Sequence, residues 1–271
     1  MNNGIPLKDQ LLTLYYRQGW KGFSRIWSSL KRIGNHPCLQ FKNKYGANLY
    51  LNPENYIDSH VLRLGYYESE VLEAILPFLG DDSVLWDIGA NFGLHGITAK
   101  LLKPESRVIC IEPFPLMMAQ LQANCLLNNI KIEMVNIALS HSPNFQVLHV
   151  IEAGNPGMST LKPWTEADYS KKILCWCDTG DNLLLNHLLP QPTVIKIDVE
   201  GSEFEVLKEL VTTIKNPLLK AIIFEENSEL LIKKQENHVY KLLVKEGFTI
   251  ESLRRCEPTH HLLNNFIARR F

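Results

Sequence analysis

Short apolar runs and amphipathic segments alternate along most of this chain, from residue 84 onward. The run VLWDI has the length of a buried strand, and PLMMAQLQANCLLNN repeats its apolar residues at the three- and four-residue steps of a helix. This alternation predicts an α/β fold with a mainly parallel sheet that helices cover on both faces. We predict strands at 84–88, 107–112, 131–139, 145–150, 172–177, 193–198, 220–226, 248–253 and 265–270, and helices at 93–102, 115–129, 202–210 and 236–246.

The first part of the chain has a different pattern. Apolar residues at helical steps predict one helix over 7–33, and a second helix is predicted at 69–79. Apolar segments on either side of Tyr45-Gly46 predict a hairpin between them. We therefore expect an extension over 1–54, made of a helix and a hairpin, and a main domain over 55–271.

Charge is unevenly distributed between these two parts. The whole chain has a formal net charge of −1, so nothing favours a nucleic-acid partner. Residues 1–53, however, hold eight Lys and Arg residues and one acid, Asp9. An apolar stripe beside basic residues in 1–35 favours packing on the chain itself or on a second copy, and peripheral contact with an anionic membrane is the alternative.

The six cysteines lack the paired spacing of a zinc site and are expected to be free thiols, which favours a reducing compartment. No signal-peptide pattern or membrane-spanning apolar stretch is found, so we expect a cytoplasmic protein.

The stretch SVLWDIGANFGLHG, residues 83–96, joins the first core strand to its helix through a glycine-rich turn. Gly89 and Gly93 are four residues apart, so the dinucleotide-binding spacing is absent, and no Lys-Ser/Thr of a phosphate-binding loop follows. Glu112 ends the second core strand, where a carboxylate can accept hydrogen bonds from both hydroxyls of a ribose. The loop and this acid together are typical of S-adenosylmethionine binders.

With these elements, the chain resembles class I methyltransferases, and among them the FkbM family, over about residues 55–271. The resemblance rests on the glycine loop, on VICIEPFP (108–115), on Gly157-Met-Ser-Thr160 and above all on VIKIDVEGSEFEVLKEL (194–210). It implies a Rossmann-like, seven-stranded, mainly parallel sheet with an antiparallel last strand. It also implies S-adenosylmethionine as methyl donor and O-methylation of a small-molecule or glycan hydroxyl, on a sugar or a natural-product scaffold.

The resemblance also assigns roles to individual residues. Asp87, Gly89 and Asn91 would line the methionine end of the donor, and Glu112 would hold the ribose. Asp198 would lie where donor and acceptor meet. The full set expected to bind the cofactor is Asp87, Gly89, Ala90, Asn91, Gly93, Glu112, Pro113, Asn136, Ala138, Leu139, Ser140 and Asp198.

Methyl transfer to an alcohol needs a group that removes the hydroxyl proton or stabilises the alkoxide. A side chain acting as base is one possibility, and the candidates are His95, Asp198, Glu200 and Glu225. A divalent cation is the other, with Asp198, Glu225 and Glu226 as candidate ligands and Asn227 beside them. Ser202 is expected to cap the helix that follows Glu200-Gly201.

The acceptor is less constrained by the sequence. The insert 154–170 is expected to form part of its wall, with Trp164, Tyr169 and Lys162 as contacts. Ile197-Asp-Val-Glu200 stands where N-methylating relatives have an Asn-Pro-Pro-Tyr tetrad, which favours oxygen as the methylated atom. N-methylation, a protein or nucleic-acid substrate, and a non-catalytic module that binds S-adenosylmethionine remain alternatives.

Overall fold

The structure is a computed structural model that describes residues 5–19, 21–33, 38–164, 167–234, 236–254 and 263–270. Its helices are α1 (Leu7–Arg17), α2 (Phe23–Ile33), α3 (Tyr56–Leu64), α4 (Ser69–Ile75), α5 (Leu94–Leu102), α6 (Pro115–Asn128), α7 (Gly180–Leu185), α8 (Glu203–Lys208), α9 (Val211–Lys215) and α10 (His238–Lys245). Its strands are β1 (Leu39–Lys42), β2 (Asn48–Leu51), β3 (Val84–Ile88), β4 (Arg107–Ile111), β5 (Glu133–Val135), β6 (Ala138–Leu139), β7 (Asn144–Val150), β8 (Lys171–Asp178), β9 (Val194–Ile197), β10 (Ala221–Asn227), β11 (Thr249–Ser252) and β12 (Leu263–Arg269).

The main sheet has seven strands in the order β11-β12-β10-β9-β3-β4-β5. The pairs from β10 to β5 are parallel, and the last strand, β12, runs antiparallel between β10 and β11. This confirms the predicted α/β class, the mainly parallel sheet of seven strands and its antiparallel last strand. It is the arrangement of Rossmann-like class I methyltransferases.

The central strands are buried on both faces, as their continuous apolar runs predict. All five residues of β3 are buried. Because side chains alternate along a strand, Leu85 packs into one hydrophobic cluster with Leu72 and Ile97, while Trp86 packs into a second cluster with Leu207. Helices α4 and α5 therefore cover one face, and α8 covers the other.

The extension packs against the first of these clusters. Phe23 and Trp27 of α2 and the hairpin residue Leu49 are buried in it. The predicted hairpin is present, with β1 and β2 antiparallel. Asn124 of α6 accepts a hydrogen bond from the Tyr50 amide at 2.8 Å, so polar side chains on α6 hold the hairpin in place.

Some predicted elements differ from the structure. The single helix predicted over 7–33 is wrong, because the chain turns between α1 and α2 at Gly19, whose φ of +64° is left-handed. The single strand predicted over 131–139 is also wrong. It divides into β5 of the main sheet and β6 of a separate three-stranded sheet with β8 and β7. The short helices α3, α7 and α9 were not predicted.

The cysteines that the structure describes, at 38, 110, 125, 175 and 177, are free thiols. Within the described residues, no helix has the length and apolar character needed to cross a bilayer.

Candidate active site

A pocket of about 920 Å³ opens at the carboxyl ends of β3, β4 and β9. From β3 the chain continues to β4 and β5 on one side, and it later returns to β9 on the other side. The pocket therefore lies at the point where the strand order reverses, which is the usual ligand site of an open α/β sheet. Its lining includes Gly89, Asn91, Glu112, Asp198 and Glu200.

Gly89 allows the loop after β3 to approach the end of β9 closely. Its φ is +72°, and a Cβ atom there would lie 1.7 Å from the carbonyl oxygen of Asp198. Both groups are backbone, so no side-chain rotation would relieve the contact. Glycine is therefore required at this position for both conformation and space.

Glu112 is held at the pocket wall by backbone amides. Its Oε2 accepts a hydrogen bond from the Asn91 amide at 2.9 Å, and its Oε1 accepts one from the Phe114 amide at 2.8 Å. Burial raises the pKa of Glu112 to about 7, and these two amides oppose that rise. Each carboxylate oxygen keeps a second lone pair, so the group can still accept from a bound diol.

Lys196 connects the loop after β3 to the carboxylates of Asp87 and Asp198. It was not among the site residues predicted from the sequence. Its Nζ donates to the Gly89 carbonyl at 2.9 Å and lies 3.5 Å from Asp87 Oδ1 and 3.3 Å from Asp198 Oδ2. Burial by itself would lower the pKa of Lys196, but the carboxylates of Asp198 and Asp87 raise it above its usual value. The lysine is therefore a buried ammonium ion. The sequence did contain a sign of this role, because a lysine interrupts the apolar strand VIKID.

Asp87 contributes to the site through its contacts with Gly96 and Lys196. It is fully buried and does not line the pocket, and its Oδ2 accepts a hydrogen bond from the Gly96 amide in the first turn of α5 at 3.0 Å. Burial raises the pKa of Asp87, and the Lys196 ammonium opposes this rise. Its contacts orient α5 and Lys196.

His95 lines the pocket from the first turn of α5 and is buried. Its Nδ1 lies 3.3 Å from the Tyr66 hydroxyl oxygen, and that hydroxyl donates to the Leu94 carbonyl at 3.2 Å. Burial and then the Lys196 charge lower the pKa of His95 to about 3. The imidazole is therefore neutral and weakly basic at neutral pH.

Glu200 also lines the pocket, as do Asp198 and Glu68. Burial, followed by the charges of Asp198, Glu225, Glu203 and Glu68, raises the pKa of Glu200 well above its usual value. Its φ is +54°, and the hydroxyl of Thr160 donates to its carbonyl at 3.0 Å.

Left-handed backbone is concentrated at this pocket. Among the described residues, six non-glycine residues have positive φ, and three of them, Glu68, Asn91 and Glu200, line the pocket. Backbone strain of this kind clusters at functional sites.

Ser202 does not act as the expected helix cap. It occupies the N-cap position of α8, but its hydroxyl caps no amide, and Glu203 instead accepts hydrogen bonds from the amides of Val199 and Gly201. Ser202 lines the pocket, is only 5% exposed, and its hydroxyl has no hydrogen-bond partner in the part of the chain that the structure describes.

Comparison with known proteins identifies the family of this chain. A family model described as "Methyltransferase FkbM domain" matches residues 87–256, which is more than half of the chain. The chain belongs to the FkbM methyltransferase family. The family prediction made from the motifs is confirmed.

Two curated relatives match parts of this chain. "Hexuronic acid methyltransferase AglP" of Haloferax volcanii is 30% identical over 152 residues, which are 55% of this chain and 59% of AglP. "Methyltransferase 1" of Beauveria bassiana is 23% identical over 185 residues, 60% of this chain and 72% of that protein. The match to AglP therefore spans less than two thirds of that protein's length.

Solved structures that are similar to the chain include the following three. Trm5b of Pyrococcus abyssi has a TM-score of 0.48 at 12% identity, and covers 87% of this chain and 56% of that one. M. jannaschii TYW2 in complex with AdoMet has a TM-score of 0.45 at 12% identity, with 88% and 89% covered. The precorrin-6y C5,15-methyltransferase of Geobacter metallireducens has a TM-score of 0.44 at 16% identity, with 75% and 87% covered.

The FkbM motifs meet at the pocket, but not every predicted site residue lines it. Asn136 donates to the Glu112 carbonyl at 2.7 Å, and so supports the strand end from outside the pocket. Ser140 accepts a hydrogen bond from Gln146 at 3.1 Å. The predicted residues that line the pocket are Gly89, Ala90, Asn91, His95, Glu112, Pro113, Ala138, Leu139, Asp198 and Glu200, and those outside its lining are Asp87, Gly93, Asn136, Ser140, Glu225 and Glu226.

The candidate metal ligands are not grouped. Across the described residues, no three His, Cys, Asp or Glu side chains come together as a metal site, and this includes Asp198, Glu225 and Glu226. Glu225 is close enough to Glu200 to raise its pKa.

The insert 154–170 contributes to the pocket through its first half, which includes Pro156, Thr160 and Leu161. Its later residues lie beyond the lining, where Lys162 pairs with Glu205 at 2.7 Å and the Trp164 amide donates to the Tyr169 hydroxyl at 3.0 Å.

Proposed function

We propose that this protein is an S-adenosylmethionine-dependent O-methyltransferase that acts on a hydroxyl of a sugar or a natural-product scaffold. The observation that carries the proposal is the meeting of the Gly89 loop, Glu112 and Asp198 around one pocket at the reversal point of the sheet. Membership of the FkbM family supports methyl transfer. The name of AglP, a hexuronic acid methyltransferase, supports a sugar acceptor.

The lining residues fit such a donor. Glu112 would accept hydrogen bonds from the ribose hydroxyls, and Ile111, Ala138 and Leu139 would provide an apolar wall for adenine. Asp198, whose side chain is 35% exposed, would face the positively charged sulfonium end. The bound donor supplies an electrophilic methyl group, and the residues of this chain position it and the acceptor oxygen.

Glu200 is the residue we propose as general base. A base works best when its pKa is close to the working pH, and the raised pKa of Glu200 moves it in that direction. His95, with a pKa near 3, is too weak a base, and Glu225 does not line the pocket. Glu200 would accept the hydroxyl proton as the new C–O bond forms.

The pocket favours an acceptor that presents hydroxyl groups to its carboxylates. Glu68, Asp198 and Glu200 line it, and the nearby cation, Lys196, is already paired with two carboxylates. Carboxylates can accept hydrogen bonds from the hydroxyls of an acceptor, whereas an anionic group placed directly beside them would be repelled.

Glu200→Gln is expected to lower kcat by about 10²–10⁴-fold, because the amide cannot take the proton. In the native protein, activity should rise with pH as Glu200 loses its proton, in a range above the usual pKa of glutamate. The variant should lose that rise while remaining at least as stable at pH 8, since it removes a carboxylate crowded by Asp198 and Glu225. Methyl transfer from labelled S-adenosylmethionine across the pH range, with urea unfolding of both proteins, measures this.

His95→Gln is the matched control, since it also changes a buried polar side chain of the pocket. It should keep the rise of activity with pH. If His95→Gln abolishes that rise and Glu200→Gln keeps it, the assignment of the base is wrong.

Calorimetry tests the proposed donor directly. The full chain should bind S-adenosylmethionine and its demethylated product, and should not bind NADH, because the dinucleotide spacing is absent from its glycine loop. The proposed function would be overturned if the chain bound neither S-adenosylmethionine nor its demethylated product. Binding without methyl transfer to any oxygen, nitrogen or macromolecular acceptor would favour the non-catalytic alternative.

A further inference from the structure

Helix α1 packs on the core through Leu12 and Tyr16, which are partly buried, and turns three other leucines towards solvent. Asp9 and Thr13 are buried, while Leu7 is 71%, Leu11 44% and Leu14 49% exposed. Residues at these positions lie on one side of a helix, so the three leucines form a continuous stripe, here called the α1 leucine face. A helix on the surface of a globular protein normally turns such an apolar stripe towards the core.

Specific polar contacts hold α1 in this orientation. Asp9 Oδ2 accepts a hydrogen bond from the Gln40 amide at 3.2 Å, and Arg17 Nε donates to the Leu62 carbonyl at 2.6 Å. The Arg17 guanidinium also lies over the ring of Phe41, 5.2 Å from its centroid. Turning the leucines inward would break these contacts, so their exposure is built into the fold.

Exposed basic residues accompany the α1 leucine face along the chain. Lys8 adjoins the stripe along α1, and Lys21 and Arg25, which follow in the chain, are exposed. Residues 1–53 contain eight basic residues and one acidic residue. A second copy of this chain would bring two such positive segments together, whereas an anionic surface would complement them.

We propose that the α1 leucine face docks on an anionic membrane surface. The leucines would enter the boundary between headgroups and acyl chains, and Lys8, Lys21 and Arg25 would lie near lipid phosphates. This is binding in the plane of the membrane and needs no spanning segment. Helix α1 packs against α3, whose residue Ile57 lines the pocket, so the docked surface lies next to the element that borders the site.

Cosedimentation of the full chain with vesicles tests this surface. Vesicles of phosphatidylcholine with about 30 mol % phosphatidylglycerol should bind the protein, and pure phosphatidylcholine vesicles should bind it much more weakly. Combining Leu7→Ser, Leu11→Ser and Leu14→Ser should reduce partitioning by about tenfold or more. Raising the salt concentration to about 0.5 M should also weaken binding, because it screens the basic residues.

The matched control replaces three leucines of comparable exposure elsewhere, Leu126, Leu185 and Leu188, by serine. This variant should partition as the native protein does. Urea unfolding of both triple variants should match that of the native protein, since all six side chains face solvent.

Two results would overturn the proposal. One is the absence of binding to the anionic vesicles, or equal binding by the α1 variant and the native protein. The other is a dimer on gel filtration that the α1 substitutions dissociate, which would assign the α1 leucine face to a second copy of the chain.

Discussion

Lys196→Met is expected to lower the free energy of unfolding by about 3–5 kcal/mol, because it leaves a buried carboxylate without its cation. Asp87 is fully buried, and its Oδ1 has no hydrogen-bond partner within the described ranges of the chain, while the Lys196 ammonium lies 3.5 Å away. The substitution should also loosen the donor loop, since Lys196 donates to the Gly89 carbonyl. Urea unfolding and calorimetry with S-adenosylmethionine measure the two effects.

The loss of stability should depend on pH in a defined direction. Burial already raises the pKa of Asp87, and without Lys196 that pKa should rise further. A carboxyl group whose pKa is raised by folding favours the folded state when protonated, so stability falls as pH increases above the pKa of the unfolded chain. The variant should therefore lose more stability at pH 8 than at pH 5.

Two comparisons separate the ion pair from a general effect of losing a lysine. Asp87→Asn added to Lys196→Met should restore part of the stability, because no buried charge then remains. Lys100→Met removes a lysine that donates to the Pro104 and Ser106 carbonyls just after α5, and should cost about 1 kcal/mol. A loss below about 1 kcal/mol for Lys196→Met would contradict the assigned role.

Gly89→Ala is expected to weaken binding of S-adenosylmethionine by about 10²-fold or more, since displacement of a binding group by about 1 Å has effects of this size. The added Cβ would lie 1.7 Å from the Asp198 carbonyl oxygen, so β9 and the loop must move apart. The left-handed φ of +72° adds about 1–2 kcal/mol of strain for alanine. Calorimetry and thermal unfolding measure both consequences.

Gly247→Ala isolates the conformational part of this effect. Gly247 has a similar φ of +86°, but nothing lies within 4 Å of an added Cβ. This control should lose about 1 kcal/mol of stability and keep its affinity for the donor. Equal affinities for Gly89→Ala and the native protein would show that the close approach of the loop to β9 does not matter for binding.

A site residue could be predicted from the sequence when it belongs to a local motif, but the motif did not give the direction of each side chain. Gly89 and Glu112 were found because a glycine turn and a strand-ending acid each have a local pattern, and parallel strands bring their ends together. Asp87 belongs to the same motif, yet its side chain points towards α5 and holds the Gly96 amide. The motif identified the right loop but did not indicate which side chains face the cavity.

Ser202 is a second case in which the local pattern did not predict the contacts of a side chain. A serine before an amphipathic segment predicts a helix cap, because a hydroxyl satisfies a free amide. Here Glu203 accepts hydrogen bonds from the amides of Val199 and Gly201, and the buried Ser202 hydroxyl has no hydrogen-bond partner among the described residues. The competition between two neighbouring side chains depends on the path of the backbone, which includes left-handed residues at Glu200 and Gly201.

The sequence alone determined the α/β class and the parallel core strands, because strand and helix periods are properties of neighbouring residues. Its motifs, above all residues 194–210, carried the resemblance to the family. Only the tertiary structure decided which groups meet across long separations. Gly89 lies close to the Asp198 backbone, and Lys196 lies between two carboxylates. In α1, Asp9 accepts a hydrogen bond from the Gln40 amide of β1, and three leucines face solvent. Such contacts depend on how separate elements pack, and no local pattern along the chain encodes them.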